Sequence, residues 1–134
     1  MPALMDWLLS VPASARWVIT LIFAAIVVAL SISPGVEQPG DNLFVWVIVR
    51  TPTLIQKIMH VATYAALALS WMWTLASIES RLVRIALTIV ATIGLGAILE
   101  WHQTRVPGRF GTVFDVALNT VGAVIGLALA LLLL

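Results

Sequence analysis

The chain contains no cysteine. Disulfides, thiolate nucleophiles and cysteine-ligated zinc are therefore excluded, and the redox compartment is left open. Charge is scarce as well: 7 Lys and Arg and 6 Asp and Glu among 134 residues, 10% charged, with a formal net charge of +1. Soluble domains carry about 25% charged residues, so an ordinary solvated surface is excluded. No basic run occurs, which removes nucleic acid from the partners to consider. Internal repeats are missing, and the loops are too short for a separate soluble domain. No H-E-x-x-H, G-x-S-x-G or comparable catalytic spacing is present, so no known enzyme class is signalled.

What the chain has is apolar length. Hydrophobic residues make up 62% of it and its mean hydropathy is +1.11, against about 45–50% apolar residues in soluble domains. The composition is that of an all-α integral membrane protein folded as one domain over residues 1–134. A membrane-spanning helix needs about 20 mostly apolar residues. Four segments qualify, at about 17–33, 52–76, 82–100 and 115–134, giving a four-transmembrane-helix bundle.

The first span, WVITLIFAAIVVALSI, is free of charge and stopped by Ser33-Pro34-Gly35; Trp17 suits an aromatic belt and Arg16 the interface beside it. Thr51-Pro52 reads as an N-cap followed by proline at the first helical position. Arg84 is placed to snorkel near the start of the third span. Leu43–Val49, LFVWVIV, is too short to cross and reads as a short interfacial helix or re-entrant piece between spans one and two. Met1–Val11 reads as a surface segment. Residues 1–33 fit a cleaved signal poorly, because Asp6 lies in a long stretch before Arg16 and a proline follows Ser33.

Consecutive spans are antiparallel, so the start of span two, the end of span three and the start of span four share one side of the membrane. Those places hold most of the unusual polar residues: Gln56, Lys57, His60 and Tyr64; Glu100, His102, Gln103, Arg105 and Arg109; Asp115 and Asn119. Helical spacing sharpens the grouping. Gln56, His60 and Tyr64 form an i, i+4, i+8 stripe, and Asp115 and Asn119 form an i, i+4 pair. Gly122 and Gly126 form a G-x-x-x-G pattern that admits a close helix neighbour; Gly94 and Gly96 offer the same in span three.

Much of this has a plain explanation. Lys57, Arg105 and Arg109 taken singly suit phosphate-facing flanks, where charge is cheap. Asp115 suits a helix N-terminus. Arg81 and Arg84 suit topology signals, and Trp71 and Trp73 suit packing or lipid contact. His60 and Asn119 are different: each lies about a turn inside its span and must find a partner. Glu100 closes span three, where the helix dipole disfavours an anion, so Arg109 or His60 is expected beside it.

These residues resemble a known set. Gln56-Lys57-x-x-His60-x-x-x-Tyr64 is similar to the D-K-x-x-H-x-x-x-Y signature of VanZ-like membrane proteins. Glu100-x-x-Gln103, Pro107-Gly108-Arg109 and Asp115-x-x-x-Asn119-x-x-Gly122-x-x-x-Gly126 resemble that family's later half, from Thr51 onward in this chain. Gln56 departs from the family's aspartate, which removes a charge partner for Lys57. The resemblance implies a small four-span protein whose namesake is associated with resistance to teicoplanin, a lipid-bearing glycopeptide. It carries over Lys57, His60, Tyr64, Glu100, Gln103, Arg109, Asp115 and Asn119 as ligand-binding candidates.

Three functions follow as expectations. In the favoured one, Lys57 and Arg109 hold a phosphate or carboxylate. Glu100, Gln103, His60 and Asn119 then bond hydroxyls and amides, and apolar walls take a lipid tail. The partners would be membrane lipids, a lipid-linked cell-wall precursor or a lipoglycopeptide, with no cofactor. The second is an enzyme with His60 as base and Glu100 or Asp115 as orienting carboxylate. In its metal-dependent form, His60, Glu100, His102 and Asp115 would be the ligands. The third is a structural or partner-binding subunit. The setting is a bacterial inner membrane. Discounting functional cations, the positive-inside rule puts the N-terminus inside and the pocket outside.

Overall fold

The computed structural model describes residues 2–33, 35–36, 39–40, 43–106, 108–109 and 111–134, and the side chains of all of these but 2–5, 44 and 48. Met1, Pro34 and Pro107, named above, lie outside the described residues. The helices are α1 (Pro2–Ser10), α2 (Ala13–Ile32), α3 (Leu43–Arg50), α4 (Thr53–Thr74), α5 (Arg81–Gln103) and α6 (Val113–Leu133), with a 3-10 turn, Leu75–Ser77, after α4. There is no strand among the described residues. Four segments are long and apolar enough to cross a membrane: Ala13–Ile32, Thr53–Ser77, Arg81–Gln103 and Val113–Leu133. They fit a multi-pass membrane protein.

Local chemistry sets the helix ends. Ser80 caps α5 by accepting the Val83 N–H at 3.4 Å. Thr112 caps α6: its hydroxyl accepts the Asp115 N–H at 3.1 Å and donates to Asp115 Oδ2 at 2.6 Å. This reciprocal pairing satisfies an orphan donor and places an anion in the positive first turn. The start of α4 differs from expectation. Pro52, at φ −57° and ψ 143°, is the N-cap. Thr51 instead donates its hydroxyl to the Val47 carbonyl at 2.7 Å, closing the end of α3.

The central helix is α4, which packs against α2, α5 and α6. Its span, Thr53–Ser77, is the least apolar of the four, with Gln56, Lys57 and His60 in its first turns. Helices α4 and α6 run in the same direction and make the most extensive contact. The reason lies at Gly122 and Gly126, where an added Cβ would run into the backbone carbonyls of Val61 and Ala65. Close approach of two backbones is what small residues permit inside a membrane. In α5 only Gly96 plays such a part, lying under the Tyr64 ring and beside Asn119; a Cβ at Gly94 would meet nothing within 4 Å.

Val27, Tyr64, Leu67 and Leu99 form the core, flanked by Phe23, Leu95 and Trp71. Outward faces carry exposed Ile22, Ile26, Val90, Ile98 and Leu132, which lipid tails solvate as well as protein would. Trp71 packs edge-on against Trp17, with ring centroids 5.7 Å apart, and Trp73 Nε1 donates to the Leu8 carbonyl at 2.8 Å, tying α1 to the bundle. Arg16, in the first turn of α2, turns inward. It is 7% exposed and donates to the Trp73 carbonyl at 2.9 Å, in the last turn of α4, a favourable place for a cation.

Candidate functional site

The opposite end of the bundle, where α4 and α6 begin and α5 finishes, gathers the eight candidate residues. Glu100 owes its inward aim to the register of α5. Arg84, Thr88, Thr92, Gly96 and Glu100 follow one another at four-residue steps, a row in which each residue stacks over the next while winding obliquely along the helix. Thr88, Thr92, Gly96 and Glu100 are all buried. Sequence reasoning placed Glu100 by its position at a span end and missed this stripe, although the four-residue step would have shown it. The Thr88 and Thr92 hydroxyls are sealed without a hydrogen-bond partner among the described residues.

At the top of that stripe three side chains form a relay. His60 Nδ1 lies 2.8 Å from Asn119 Oδ1. Asn119 Nδ2 donates to Glu100 Oε1 at 3.3 Å, and His60 Nδ1 is 3.6 Å from the same oxygen. Asn119 is 1% and Glu100 3% exposed. The expected partner for Glu100 is thus found in His60, and Asn119 joins the two. Glu100 and Asn119 stand behind His60 and are not among the lining residues of the two cavities below.

Arg109 reaches across to α2. Its Nε donates to the Ser33 carbonyl and its Nη2 to the Leu30 carbonyl, each at 3.1 Å. It therefore closes the C-terminal end of α2, a favourable place for a cation, and makes no ion pair with Glu100. Two of its five N–H donors are so occupied; Nη1 and the second Nη2 proton are in no hydrogen bond among the described residues, and Arg109 lines both cavities below. Burial pushes the Arg109 pKa down from its ordinary value, and the nearby Glu100 opposes that shift.

Lys57 lies with Nζ 4.9 Å from the Phe114 ring centroid, a cation–π distance. Arg105 stacks on Trp101 at 3.6 Å and is exposed, as a flanking residue would be. Gln56 Nε2 donates to the Thr51 carbonyl at 2.8 Å, bracing the α3–α4 joint with a donor that the family's aspartate lacks.

Two cavities open here. The larger, about 550 Å³, is lined by polar groups from three helices and a loop, among them Lys57, His60, Gln103, Arg109, Thr112 and Asp115. The smaller, about 110 Å³, lies between α2 and α4, with Val27, Leu30, Met59 and Tyr64 in its wall. Gln56, His60, Gln103 and Arg109 line both. The metal-binding alternative does not assemble: among the described residues no group of three or more His, Asp or Glu side chains is placed to hold a metal.

A family model described as VanZ/LLP1 matches residues 5–134. The match reaches well upstream of Thr51, where the motif resemblance began. Comparison with curated proteins and with solved structures gave no match.

Proposed function

The chain belongs to the VanZ/LLP1 family, and from that premise we propose that it binds a lipid-linked or lipid-bearing molecule of the cell envelope. The headgroup occupies the larger cavity and an apolar chain leaves along the α2–α4 slot. The observation that carries this reading is the junction of the two cavities at Gln56, His60, Gln103 and Arg109. One side of the junction is polar and includes Lys57; the other is walled by Val27, Leu30 and Met59. An amphiphile has this division, and a site of several hundred Å³ is the ordinary size for a small ligand. Lys57 supplies the charge for a phosphate or carboxylate. In a bacterial inner membrane with the cavity facing outward, such binding would sequester or shield an envelope component and reduce sensitivity to a lipoglycopeptide.

Extraction of the purified protein, followed by lipid mass spectrometry, tests the reading. One lipid class should be enriched over bulk membrane, and enrichment should fall in Lys57→Ala and Gln103→Ala but not in Ile98→Ala, whose side chain faces outward. Equal lipid profiles in all four proteins would refute it. Labelling of a cysteine placed at Thr104, in a chain with none of its own, fixes which side the cavity faces.

The relay favours one second reading. A histidine held by a side-chain amide and a buried carboxyl is the arrangement of an oriented general base. Headgroup release from added lipid by the wild type but not by His60→Ala would support an enzyme; no release by either would remove it.

A further inference from the structure

We propose that His60 meets the ligand as a hydrogen-bond acceptor. The bound headgroup then carries a hydroxyl as well as an anion, as phosphoglycerol and glycosyl-phosphate groups do and phosphocholine does not. This rests on the binding reading above and specifies its chemistry.

The argument begins at Glu100. Its Oε1 accepts from Asn119 Nδ2, which fixes the orientation of the Asn119 amide and turns Oδ1 toward His60. An amide oxygen only accepts, so the 2.8 Å contact to His60 Nδ1 requires the proton on Nδ1. In the neutral ring the lone pair then sits on Nε2. Nε2 has no partner among the described residues and is not sealed from the cavities. The His60 side chain is 24% exposed and lines both cavities. The neutral ring therefore presents an acceptor whose direction is set from behind by two buried groups.

The neighbouring groups specify the rest of the headgroup. Lys57 can only donate, and it lines the same cavity, so an anion belongs there. Gln103 is 6% exposed, and its amide is in no hydrogen bond among the described residues while lining both cavities. It offers a donor and an acceptor together. Acceptor, amide and ammonium in one cavity suit a phosphate bearing neighbouring hydroxyls. A trimethylammonium group offers His60 Nε2 nothing to accept.

The test uses the full chain with ¹⁵N-histidine, solubilised in lauryldimethylamine oxide, a detergent without hydroxyls. His102 is the other histidine of two; it is exposed and serves as the internal control. The expected spectrum shows His60 as the Nδ1–H tautomer. Dihexanoyl phosphatidylglycerol should move its Nε2 signal and leave His102 unmoved, whereas dihexanoyl phosphatidylcholine should not move it. Binding of the glycerol lipid should be about five- to ten-fold the tighter, the worth of one hydrogen bond. His60→Ala should reduce that preference to the part that the net charge of the glycerol lipid gains through Lys57. Glycerol 1-phosphate alone separates a headgroup site from one that also needs the chain: a shift at the same concentration assigns recognition to the headgroup, and a shift only with the lipid adds the slot.

An Nε2–H tautomer, equal shifts with both lipids, or an unchanged preference in His60→Ala would overturn the proposal. If both lipids bind equally, the binding reading survives and only this inference falls. If neither binds, both fall.

Discussion

Replacing Arg109 with alanine removes two hydrogen bonds from the end of α2, those to the Ser33 and Leu30 carbonyls at 3.1 Å each. Both acceptors lie at the last turn, where no intrahelical donor reaches them. A hydrogen bond to a charged group contributes about 1.5–3 kcal/mol. The two share one half-buried guanidinium and so are not additive. The expected loss is about 2–4 kcal/mol, with the favourable charge–dipole interaction included. For a chain of this length that corresponds to a melting point lower by on the order of 10 °C. Arg109→Lys should recover about half, because an ammonium is a point charge and cannot span two carbonyls in a fixed plane. Tryptophan-fluorescence melts in detergent measure both variants, with lipid retention recorded in parallel. A melting point for Arg109→Ala within a degree or two of wild type, alongside complete loss of bound lipid, would refute the capping argument and return Arg109 to an anion-holding role.

Gly126→Ala should lower the melting point, because its Cβ meets the Ala65 carbonyl and overpacking costs about 1–3 kcal/mol. Gly94→Ala, which meets nothing within 4 Å, should be neutral or slightly stabilising in the same melt. Arg16→Ala should cost about 1.5–3 kcal/mol through the lost bond to Trp73, yet leave lipid retention unchanged, since it lies at the other end of the bundle. Gln56→Asp should cost about 0.5–1.5 kcal/mol by removing the donor to Thr51; restored or raised stability would show that the aspartate pairs with Lys57 instead. Thr92→Val, replacing a sealed and unpartnered hydroxyl, should be neutral or stabilising, and a clear fall in melting point would reveal a partner for it.

The four spans were legible because a bilayer imposes one crude rule, about 20 apolar residues per crossing, and the chain obeys it at each of the four. Antiparallel threading then brought Lys57, His60, Gln103, Arg109 and Asp115 to one end of the bundle without further information. The Gly122–Gly126 spacing was equally readable, since only a close neighbour explains two glycines on one face of a membrane helix. The partners of Arg109 were not readable. They are backbone carbonyls 76 and 79 residues away, and every residue has a carbonyl, so no side chain marks them. Arg16 hid for the same reason. The relay was half readable: His60 and Asn119 demanded partners, but which groups face each other depends on helix rotation. That rotation is set by Gly96 under Tyr64 and by the contact of Gly122 with Val61. Sequence spacing does not encode it.

The central claim is that α4, α5 and α6 bring Asn119 and Glu100 together behind His60, which lines the cavities. Cysteines at His60 and Asn119, in a chain that has no others, with a protease site in the loop near Thr104, test this most directly. After treatment in native membranes with a short thiol-bridging reagent and then protease, the two fragments should remain joined. The matched pair at His60 and Val121, whose side chain is half exposed on the outer face of α6, should separate. Separation of the His60–Asn119 pair under conditions that leave both thiols reactive would contradict the account.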